Sequence, residues 1–485
     1  MSLAAQLARA APGAAAFKAW GRQWFGLLAA GRQAALVAHA ARHSRFYADH
    51  WRGAVAGGFN ALPPVTRAEL MARFDDWVCD PRITLGEVRR FVADPARAGD
   101  SYLEHYAVWT SSGTSGLPGI FVHDDFSVGL SGWLTTTRGD ARVMARNLAS
   151  ALASDNRSVL VSALGGHFAA YALWQRQRRM NPWIASRSRA VSVLLPLPQI
   201  CGALEAAQPQ LLASYPSLLL ELARERRAGR LGIAPRALWA GGEHLSAAMR
   251  AEIESGFEAP LAEEYGASEC ISIASACAEG HLHVNEDWVT LEPIDEHDRP
   301  VAPGTVSHAA LLTNLANFVQ PVIRYRLEDR ILVLPEPCPC GNPMMAIRVE
   351  GRTDETLEFA GLRGPVRIVP MALATAVEEA AGVHRFQIRA LGRERLEVWI
   401  DPAGVRQRAT VAERVRGALE ALLQSHGAAG VRIDCRWAAP QRDARSGKCR
   451  QVLRESGHAP AAPPPPARAP AARGSRAGAR SSRQP

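Results

Sequence analysis

Short apolar runs alternate with stretches of helical periodicity through the middle of this 485-residue chain. Each run is bounded by polar or turn residues, which is typical of a buried strand. The strands predicted in this way lie at 158–164, 190–195, 211–215 and 237–240. Helical patterns follow at 216–227 and 246–256. Strands that alternate with helices predict an α/β fold with a largely parallel sheet, whose ligands bind beyond the carboxyl ends of the strands.

Two polar stretches fall where such strands should end. Gly241-Gly242-Glu243 follows the strand at 237–240, and 264–269 reads Glu-Tyr-Gly-Ala-Ser-Glu. Both are predicted to lie at strand-to-helix junctions, on the edge of the sheet where a nucleotide would bind.

The regions on either side of these strands have different residue patterns. Residues 1–80 read as helices, and Thr66 with Glu69 three residues later predicts a capping box at the start of one of them. Residues 284–335 read as short strands with turn residues. A compact C-terminal unit then begins near Asp354, with the elements β-rich 356–369, helix 371–381, strands 384–400, helix 410–425 and strand 430–437.

These patterns predict a large α/β unit with a β-rich subdomain, followed by a small α+β unit, which the family resemblance described below implies to be mobile. The boundaries expected are a helical segment at 1–80, the main domain at 81–353, the small domain at 354–457 and a tail at 458–485. The tail is rich in Pro, Ala and Arg, cannot bury apolar surface, and is predicted to be disordered.

Charge and composition narrow the function classes. The net charge is +9, but the tail holds five arginines and no acid, so the rest of the chain is only mildly basic and nucleic-acid binding is not expected. No apolar run is long enough for a membrane span, and no signal peptide is evident. The eight cysteines, in a long chain without a recognisable signal peptide, favour a reducing compartment, and we expect a cytoplasmic protein.

The stretch 109–119, Trp-Thr-Ser-Ser-Gly-Thr-Ser-Gly-Leu-Pro-Gly, follows a short apolar lead. Glycines let backbone N–H groups turn inward, and hydroxyls add donors, so the loop is suited to cradle phosphate. The Walker pattern is absent, because no lysine follows Gly116. An ordinary surface loop is the alternative, and the downstream residues decide between them.

Cysteines and histidines cluster in two places. Cys277, His283, Cys338 and Cys340 would complete a Cys₃His set, which is the donor set of a structural zinc ion. His281 could replace His283, because residues that alternate along a strand face opposite sides and only one should point inward. Isolated thiols and a solvated histidine are the alternative.

Six motifs occur in the order found in the adenylate-forming superfamily. They are Ser-Ser-Gly-Thr-Ser-Gly at 111–116, Gly-Gly-Glu at 241–243, Tyr-Gly-Ala-Ser-Glu at 265–269, Tyr-Arg-Leu-Glu-Asp at 325–329, Gly-Arg-Thr-Asp at 351–354 and Ser-Gly-Lys at 446–448. The chain resembles the phenylacetate–CoA ligase branch most, through Leu-Pro-Pro-Val-Thr at 62–66, Arg-Tyr-Arg at 324–326 and Cys-Pro-Cys-Gly at 338–341. The resemblance covers about residues 45–455.

The resemblance implies an ATP- and AMP-binding set. Its members would be Ser111, Ser112, Gly113, Thr114, Ser115, Gly116, Gly241, Gly242, Glu243, Tyr265, Gly266, Ala267, Ser268, Glu269, Asp329 and Arg352. The resemblance places Thr114 near Mg²⁺ and makes Glu269 its ligand. It also implies that Lys448 reaches the reacting carboxylate and α-phosphate, so that Lys448, Glu269 and Thr114 are the catalytic set. Asp354 would be the hinge.

Two further roles follow from the resemblance: Tyr265 would stack on adenine, and Asp329 would bind both ribose hydroxyls. The chain departs from the family pattern at 117–119, Leu-Pro-Gly, where a Lys or Arg is usual. It departs again at Leu327-Glu328, where Thr-Gly is usual.

The acyl pocket is expected after the strand at 158–164. There Gly166, His167, Phe168 and Tyr171 occupy a position that resembles the family's acyl-binding segment. His167 could meet a carboxylate, and the two aromatic rings could face an aromatic acid. Packing in the core is the alternative for all four.

The resemblance implies an ATP- and Mg²⁺-dependent ligase that adenylates a small carboxylic acid, with an aromatic one favoured. The acyl group would then pass to coenzyme A or, as the second choice, to a carrier-protein phosphopantetheine. An adenylyltransferase that stops at the adenylate is an alternative. A nucleotide-binding scaffold that uses its basic tail is the alternative outside enzymes. The oligomeric state, monomer or homodimer, is open.

Overall fold

The described part of the chain comprises residues 14–111, 119–152, 156–164, 166–352, 357–361, 364–368, 370–383, 385–402, 405, 407–428, 430–442 and 449–455 of a computed structural model. The predicted tail at 458–485 and the predicted hinge Asp354 lie outside these residues.

Helices dominate the first hundred residues. The α-helices are α1 (Ala14–His43), α2 (Arg45–His50), α3 (Arg67–Ala72), α4 (Phe74–Trp77), α5 (Leu85–Ala93), α6 (Asp125–Arg138), α7 (Ala141–Leu152), α8 (Ala169–Met180), α9 (Pro182–Arg187), α10 (Leu197–Ala207), α11 (Pro216–Arg227), α12 (Ala247–Phe257), α13 (Pro370–Ala381) and α14 (Arg408–Ser425). The capping box is confirmed: the Glu69 N–H donates to Thr66 Oγ1 and the Thr66 N–H donates to Glu69 Oε2.

The strands form one large sheet and four smaller ones. They are β1 (Tyr106–Thr110), β2 (Ile120–Asp124), β3 (Ser158–Ser162), β4 (Ser188–Ser192), β5 (Leu211–Ser214), β6 (Ala237–Gly241), β7 (Leu261–Ala267), β8 (Cys270–Ala276), β9 (Leu282–Val284), β10 (Val289–Ile294), β11 (Ala309–Asn314), β12 (Tyr325–Leu327), β13 (Asp329–Val333), β14 (Ala346–Arg352), β15 (Leu357–Phe359), β16 (Val366–Ile368), β17 (Phe386–Ala390), β18 (Arg395–Ile400), β19 (Arg432–Trp437) and β20 (Val452–Arg454).

The large sheet has nine strands in the order β13-β14-β9-β8-β7-β6-β5-β3-β4. Strands β4, β3, β5, β6 and β7 pair in parallel, and those from β7 to β13 pair antiparallel. The four predicted strands are therefore confirmed as neighbours in a parallel half-sheet. Their apolar side chains pack with α10, α11 and α12 in one buried cluster.

The expectation for 264–269 is wrong in one respect. Strand β7 is followed by the antiparallel strand β8, so this stretch lies at a hairpin and not at a strand-to-helix junction. Gly266 shows why the hairpin is tight: a Cβ atom there would lie 1.8 Å from the carbonyl oxygen of Ile271. The motif still lies at the carboxyl end of β7.

The predicted β-rich part and the C-terminal unit are also present. Strands β10, β11 and β12 form an antiparallel three-stranded sheet, and β1 pairs with β2 on either side of the phosphate-loop sequence. In the C-terminal part, β15 pairs with β16, and a four-stranded sheet has the order β19-β18-β17-β20. Helices α13 and α14 pack with these strands in a buried cluster of their own, drawn from residues 357–452.

None of the described helices is both long enough and apolar enough to cross a membrane.

Candidate active site

A cleft of about 2310 Å³ opens at the carboxyl edge of the parallel strands. It is larger than the roughly 300–1,000 Å³ of an ordinary small-molecule pocket. Its walls include residues from β6, β7, β12 and β13 of the large part of the chain, and from α13 and 449–452 of the C-terminal part. The predicted residues of the adenine and ribose sites, Gly241 to Glu243, Tyr265 to Glu269 and Asp329, all line it.

Glu243 lies directly after β6, at the point where the C-terminal part meets the sheet. Gly242 before it has φ of +80°, a conformation that favours glycine. The carboxylate of Glu243 accepts hydrogen bonds from the N–H of Ser217 (3.1 Å), in the first turn of α11, and from the N–H of Cys449 (2.5 Å). Burial raises the pKa of Glu243, although both N–H groups and Arg442 oppose the shift.

Tyr265 and Asp329 are brought together from strands that are far apart in the sequence. The Tyr265 hydroxyl donates to Asp329 Oδ2 at 2.6 Å, and Asp329 is only 7% exposed. The hydrogen bond fixes the carboxylate at the start of β13, on the wall of the cleft. This is a geometry suited to hold a diol, the chemistry that the resemblance assigns to Asp329.

Glu269 is positioned just as firmly. It is 7% exposed, its Oε1 accepts a hydrogen bond from the buried hydroxyl of Tyr325 (2.6 Å), and its carbonyl oxygen accepts one from Asn314 Nδ2 (3.1 Å). Carboxylate oxygens are hard donors that suit Mg²⁺. The donor chemistry at Glu269 therefore fits the ion that the resemblance implies.

The hairpin β1–β2 is fastened to the same region. Trp109 Nε1 donates to the Ser268 carbonyl oxygen at 2.8 Å, and His123 Nε2 lies 3.3 Å from that oxygen. The indole and imidazole rings stack, with centroids 4.2 Å apart. Burial lowers the pKa of His123 to about 3, so its ring stays neutral at ordinary pH. The start of the phosphate-loop sequence is thus tied to the Tyr-Gly-Ala-Ser-Glu motif.

The base of the phosphate loop is closed by Ser111 and Gly119. The Ser111 N–H donates to the Gly119 carbonyl oxygen (2.9 Å), and the Gly119 N–H donates to Ser111 Oγ (2.8 Å). The predicted residues Ser112, Gly113, Thr114, Ser115 and Gly116 lie outside the described residues, as do Asp354, Lys448 and the side chain of Arg352. Their roles stay predictions.

Arginines of the C-terminal part contact the large part beside Glu243. Arg385 and Arg442 approach the same oxygen, Oε1 of Glu221 on α11, at 3.2 and 3.3 Å. Arg385 also pairs with Asp401 at 2.7 Å, within the C-terminal part. These ion pairs and the Cys449–Glu243 hydrogen bond hold the two parts on either side of the cleft.

The acyl-pocket residues are placed apart from one another. Of the four proposed, all of which the structure describes, only Phe168 lines the cleft. The His167 ring is 2% exposed, with Nε2 2.8 Å from the Asp94 carbonyl oxygen, so it is directed into the core. Tyr171 accepts a hydrogen bond from Gln175. The acyl-binding role of Gly166, His167 and Tyr171 stays a prediction that this geometry does not favour.

The cysteine and histidine residues predicted as zinc ligands do converge. The ligand atoms of Cys277, His283, Cys338 and Cys340 all lie within 4.8 Å of one another. Cys277 Sγ and Cys338 Sγ are 3.8 Å apart, and His283 Nε2 lies 3.3 Å from Cys340 Sγ. The cluster joins the end of β8 and strand β9 to the connection between β13 and β14.

The expectation that only one of the two histidines faces the cluster needs correction. His281 Nδ1 lies 3.3 Å from Cys338 Sγ, so both rings contact a thiol. Strand β9 begins at Leu282, and the alternation that separates faces does not extend to the residue before it.

The roles of two side chains in the site were not predicted. Tyr325, which orients Glu269, lies inside the Arg-Tyr-Arg segment that carries the resemblance, so its type was visible but its partner was not. Glu264 directly precedes Tyr265 and is a buried carboxyl group in the cleft wall. It lies within the predicted stretch 264–269, but no role of its own was assigned to it.

Solved structures with the same fold define the class. The chain aligns with a crystal structure of 2-hydroxyisobutyryl-CoA ligase in the postadenylation state over 88% of each chain, with a TM-score of 0.63 and 19% identity. A second structure of that ligase, with 2-HIB-AMP, gives a TM-score of 0.60 at 20% identity. The fold is therefore that of the adenylate-forming CoA ligases.

Sequence relatives narrow the class, and the predicted resemblance is confirmed. The chain is 26% identical over 309 residues to a phenylacetate–coenzyme A ligase of Thermus thermophilus, which covers 59% of this chain and 63% of that protein. It is 33% identical over 165 residues to the phenylacetate–coenzyme A ligase of Escherichia coli, covering 32% and 37%. The chain thus spans less than two thirds of the length of these relatives. No family model matches it.

Proposed function

We propose that this protein is an ATP-dependent acid–thiol ligase that adenylates a small aromatic carboxylic acid and passes the acyl group to coenzyme A. The observation that carries the proposal is the convergence of Glu243, Tyr265, Glu269 and Asp329 on one cleft, each held by a hydrogen bond. The similarity to phenylacetate–coenzyme A ligases supports it. A carrier-protein phosphopantetheine is the second choice of acceptor.

In the first half-reaction, a carboxylate oxygen of the acid attacks the α-phosphorus of ATP. The bond from that phosphorus to the bridging oxygen breaks, and pyrophosphate leaves. Asp329 would hold the ribose and Tyr265 the adenine, so that the α-phosphate lies in front of the acid. Glu269 would hold Mg²⁺, which supplies positive charge at the phosphates when it is bound.

Lys448 would add positive charge where the two anions meet, which is the form of transition-state stabilisation that this reaction needs. Cys449 follows Lys448 in the sequence, and its N–H donates to Glu243 at the cleft. The lysine count supports the assignment: of the 56 basic residues in the chain, only Lys18 and Lys448 are lysines.

In the second half-reaction, the thiolate sulfur attacks the acyl carbon and AMP leaves with the electron pair of the broken bond. We propose that the unit from 354 to 457 rotates about Asp354 between the two steps, which withdraws Lys448 and opens the site to the thiol. The polar contacts described between this unit and the large part, which include ion pairs with Glu221 that keep some contact with solvent, support a unit that can separate.

We also propose that Cys277, His283, Cys338 and Cys340 hold a structural zinc ion. Sulfur ligands about 2.3 Å from a tetrahedral ion lie about 3.8 Å apart, which is the separation of Cys277 and Cys338. His283 Nδ1 lies 3.1 Å from the Met344 carbonyl oxygen. Donation to that oxygen leaves Nε2 free of a proton and directed at the cluster, as in other zinc sites. The ion would fasten β9 to the β13–β14 connection.

ATP–pyrophosphate exchange across aromatic and aliphatic acids tests the proposal. Exchange with aromatic acids, followed by AMP release that requires coenzyme A, is the expected result. AMP release with no thiol dependence would favour an adenylyltransferase. ATP binding without exchange for any acid would favour a nucleotide-binding scaffold.

The free cysteines of the chain support a reducing compartment such as the cytoplasm.

A further inference from the structure

A buried carboxyl group lines the cleft and has no part in the reaction as proposed. Glu264 on β7 is 8% exposed and forms part of the cleft wall. Burial raises its pKa to about 7, with a further rise from the neighbouring charge of Glu263. A carboxyl group costs free energy to bury, so its presence in a ligand cavity calls for a partner.

The register of the parallel strands places Glu264 on the acyl side of the cleft. Gly241 pairs with Glu264, and Ala213 pairs with Trp239, two residues before Gly241. Paired residues in parallel strands share a face of the sheet, as do residues two apart, so these four side chains and Leu160 beside Ala213 form one surface. All of them line the cleft.

Helices α6 and α8 also contribute to the walls of the cleft. Val128, Gly132 and Thr135 of α6 and Leu173 and Trp174 of α8 line it. Apolar and aromatic side chains therefore lie near Glu264 in the cleft lining, with glycines and an alanine leaving room between them. The nucleotide residues described above lie beyond it, at the carboxyl ends of the strands. This space is where the carbon skeleton of an acid would lie.

The hydrogen bonds of Glu264 leave part of its acceptor capacity unused. The hydroxyl of Ser272 donates to Oε1, and that of Ser275 donates to Oε2 at 2.9 Å. Thr135 Oγ1 lies 3.3 Å from Oε1 but also donates to the Ser131 carbonyl oxygen at 3.0 Å, and it has one hydrogen for both. A carboxylate can accept about four hydrogen bonds, so two fixed donors do not satisfy it.

Ser272 is itself oriented by the protein. Asn285 Nδ2 donates to Ser272 Oγ at 3.2 Å, and Arg138 Nη1 donates to Asn285 Oδ1 at 3.1 Å. Because Ser272 Oγ accepts from Asn285, its own hydrogen is available to Glu264, which accepts in that bond. A network that fixes an acceptor at the cavity wall is what a site needs to select a donor on its ligand.

We infer that Glu264 accepts a hydrogen bond from the acid substrate, and that the substrate is a carboxylic acid with a hydroxyl or amino group on an aromatic or otherwise apolar skeleton. This inference rests on the proposed function, because it names the acid that the same site adenylates. An unsubstituted acid would leave the buried acceptor unpaired, and sites of this kind discriminate strongly against such analogues.

The test is ATP–pyrophosphate exchange with matched acids: benzoate, phenylacetate and butyrate, each beside its hydroxy and amino derivatives. We expect the native protein to prefer a donor-bearing member of at least one series by about 10- to 100-fold in kcat/KM. Comparison of the hydroxy and amino members identifies the donor. The Glu264→Met variant should lose this preference and keep exchange with the unsubstituted acid.

Glu264→Gln, which keeps an acceptor oxygen, should keep part of the preference and covers the case in which Glu264→Met does not fold. Glu258→Gln, an exposed carboxylate outside the cleft lining, is the control and should behave as the native protein. Equal or better exchange with unsubstituted acids in every series, or a preference that survives in Glu264→Met, would overturn the inference. Loss of exchange with every acid would instead reject the proposed function, and this inference with it.

Discussion

Two sets of side chains meet at the cleft, and they are held in opposite ways. Glu269 and Asp329, both from the large sheet, are each 7% exposed and accept hydrogen bonds from tyrosine hydroxyls, that of the buried Tyr325 and that of the partly buried Tyr265. Arg385 and Arg442, from the C-terminal part, have side chains 21% and 20% exposed, and both lean on one carboxylate, Glu221. Hydrogen bonds to nearly buried carboxylates are costly to break, whereas ion pairs that keep some contact with solvent are weakened toward the about 0–1 kcal/mol of surface pairs.

This difference in the strength of the contacts indicates that the two parts of the chain have different roles. The large part keeps its ligand groups in one geometry, which suits the binding of a nucleotide. The C-terminal part touches it through contacts that can be lost and remade at low cost, which suits an element that must leave between two half-reactions. The predictions below test each side of this comparison.

The largest effect on activity is expected at Lys448, the catalytic group that we assign to the C-terminal part. Lys448→Ala should lower ATP–pyrophosphate exchange about 10²- to 10³-fold, because it removes one charge from the transition state. Thioester formation from a synthetic acyl adenylate should change little, because that step does not use the lysine.

Lys18→Ala provides a matched control, since Lys18 is the chain's other lysine. A lysine-specific reagent should therefore abolish exchange in both the native protein and the Lys18→Ala variant. Retained exchange in Lys448→Ala would contradict the role given to Lys448.

In the large part of the chain, we expect one zinc ion. Cys338→Ser should lose the metal, and the free energy of unfolding should fall by several kcal/mol, because the ion stabilises only the folded arrangement of its ligands. Elemental analysis and thermal unfolding with and without a chelator measure both effects. Cys201→Ser, at a buried thiol outside the cluster, controls for the substitution itself and should keep the metal. A native protein without zinc would refute the site.

His283→Ala and His281→Ala separate the two histidines. His283 has the carbonyl partner that orients a ligand, so its variant should lose most of the bound metal. His281→Ala should keep it. The opposite order would make His281 the ligand.

A smaller effect is expected from the pH dependence of stability at Glu264. Burial raises the pKa of its carboxyl group to about 7 in the folded state, above the ordinary value of 4.5. A raised pKa means that the stabilising contribution is complete below pH 4.5 and is lost as pH rises toward 7. Between pH 5.5 and pH 8, the native protein should lose about 2 kcal/mol of unfolding free energy that Glu264→Gln does not lose.

Denaturant unfolding at the two pH values measures this difference. Glu225→Gln is the control: Arg230 lowers the pKa of Glu225, so its removal should not alter the slope in this range. Parallel pH profiles for the native protein and Glu264→Gln would show that the carboxyl group ionises normally.

The sequence predicted most elements of the large part of the chain, but few of the hydrogen bonds between its side chains. The strand at 237–240 could be recognised because its apolar run lies between Pro235-Arg236 and Gly241-Gly242, which is typical of a short buried strand. The hairpin after β7 could not, because its closure depends on the approach of Gly266 to Ile271, and a polar motif does not reveal that contact. The bonds of Tyr325 and Glu264 join distant strands, and no local pattern encodes such partners.

Residue chemistry explains why the Cys–His cluster was easier to predict than the acyl pocket. Cysteine and histidine carry metal affinity in any context, so their types alone identified Cys338 and Cys340 as candidates. His167 and Tyr171 serve equally well in a core or a pocket, and only the direction of the side chain separates the two. On the C-terminal side, β20 was missed because three residues are too few to show a period.

The smallest effect on activity is expected at Glu221, the carboxylate that Arg385 and Arg442 approach. Glu221→Gln should weaken the closed arrangement by about 0.5–1 kcal/mol, which is a two- to fivefold loss in ATP–pyrophosphate exchange. Thioester formation from a supplied acyl adenylate should be unchanged or faster, because it needs the other arrangement. Glu258→Gln removes a more exposed ion pair, with Arg226, whose two residues lie outside the described cleft lining, and it should alter neither step. Equal losses in both half-reactions would mean that Glu221 supports the fold of α11 and does not favour one arrangement of the two parts.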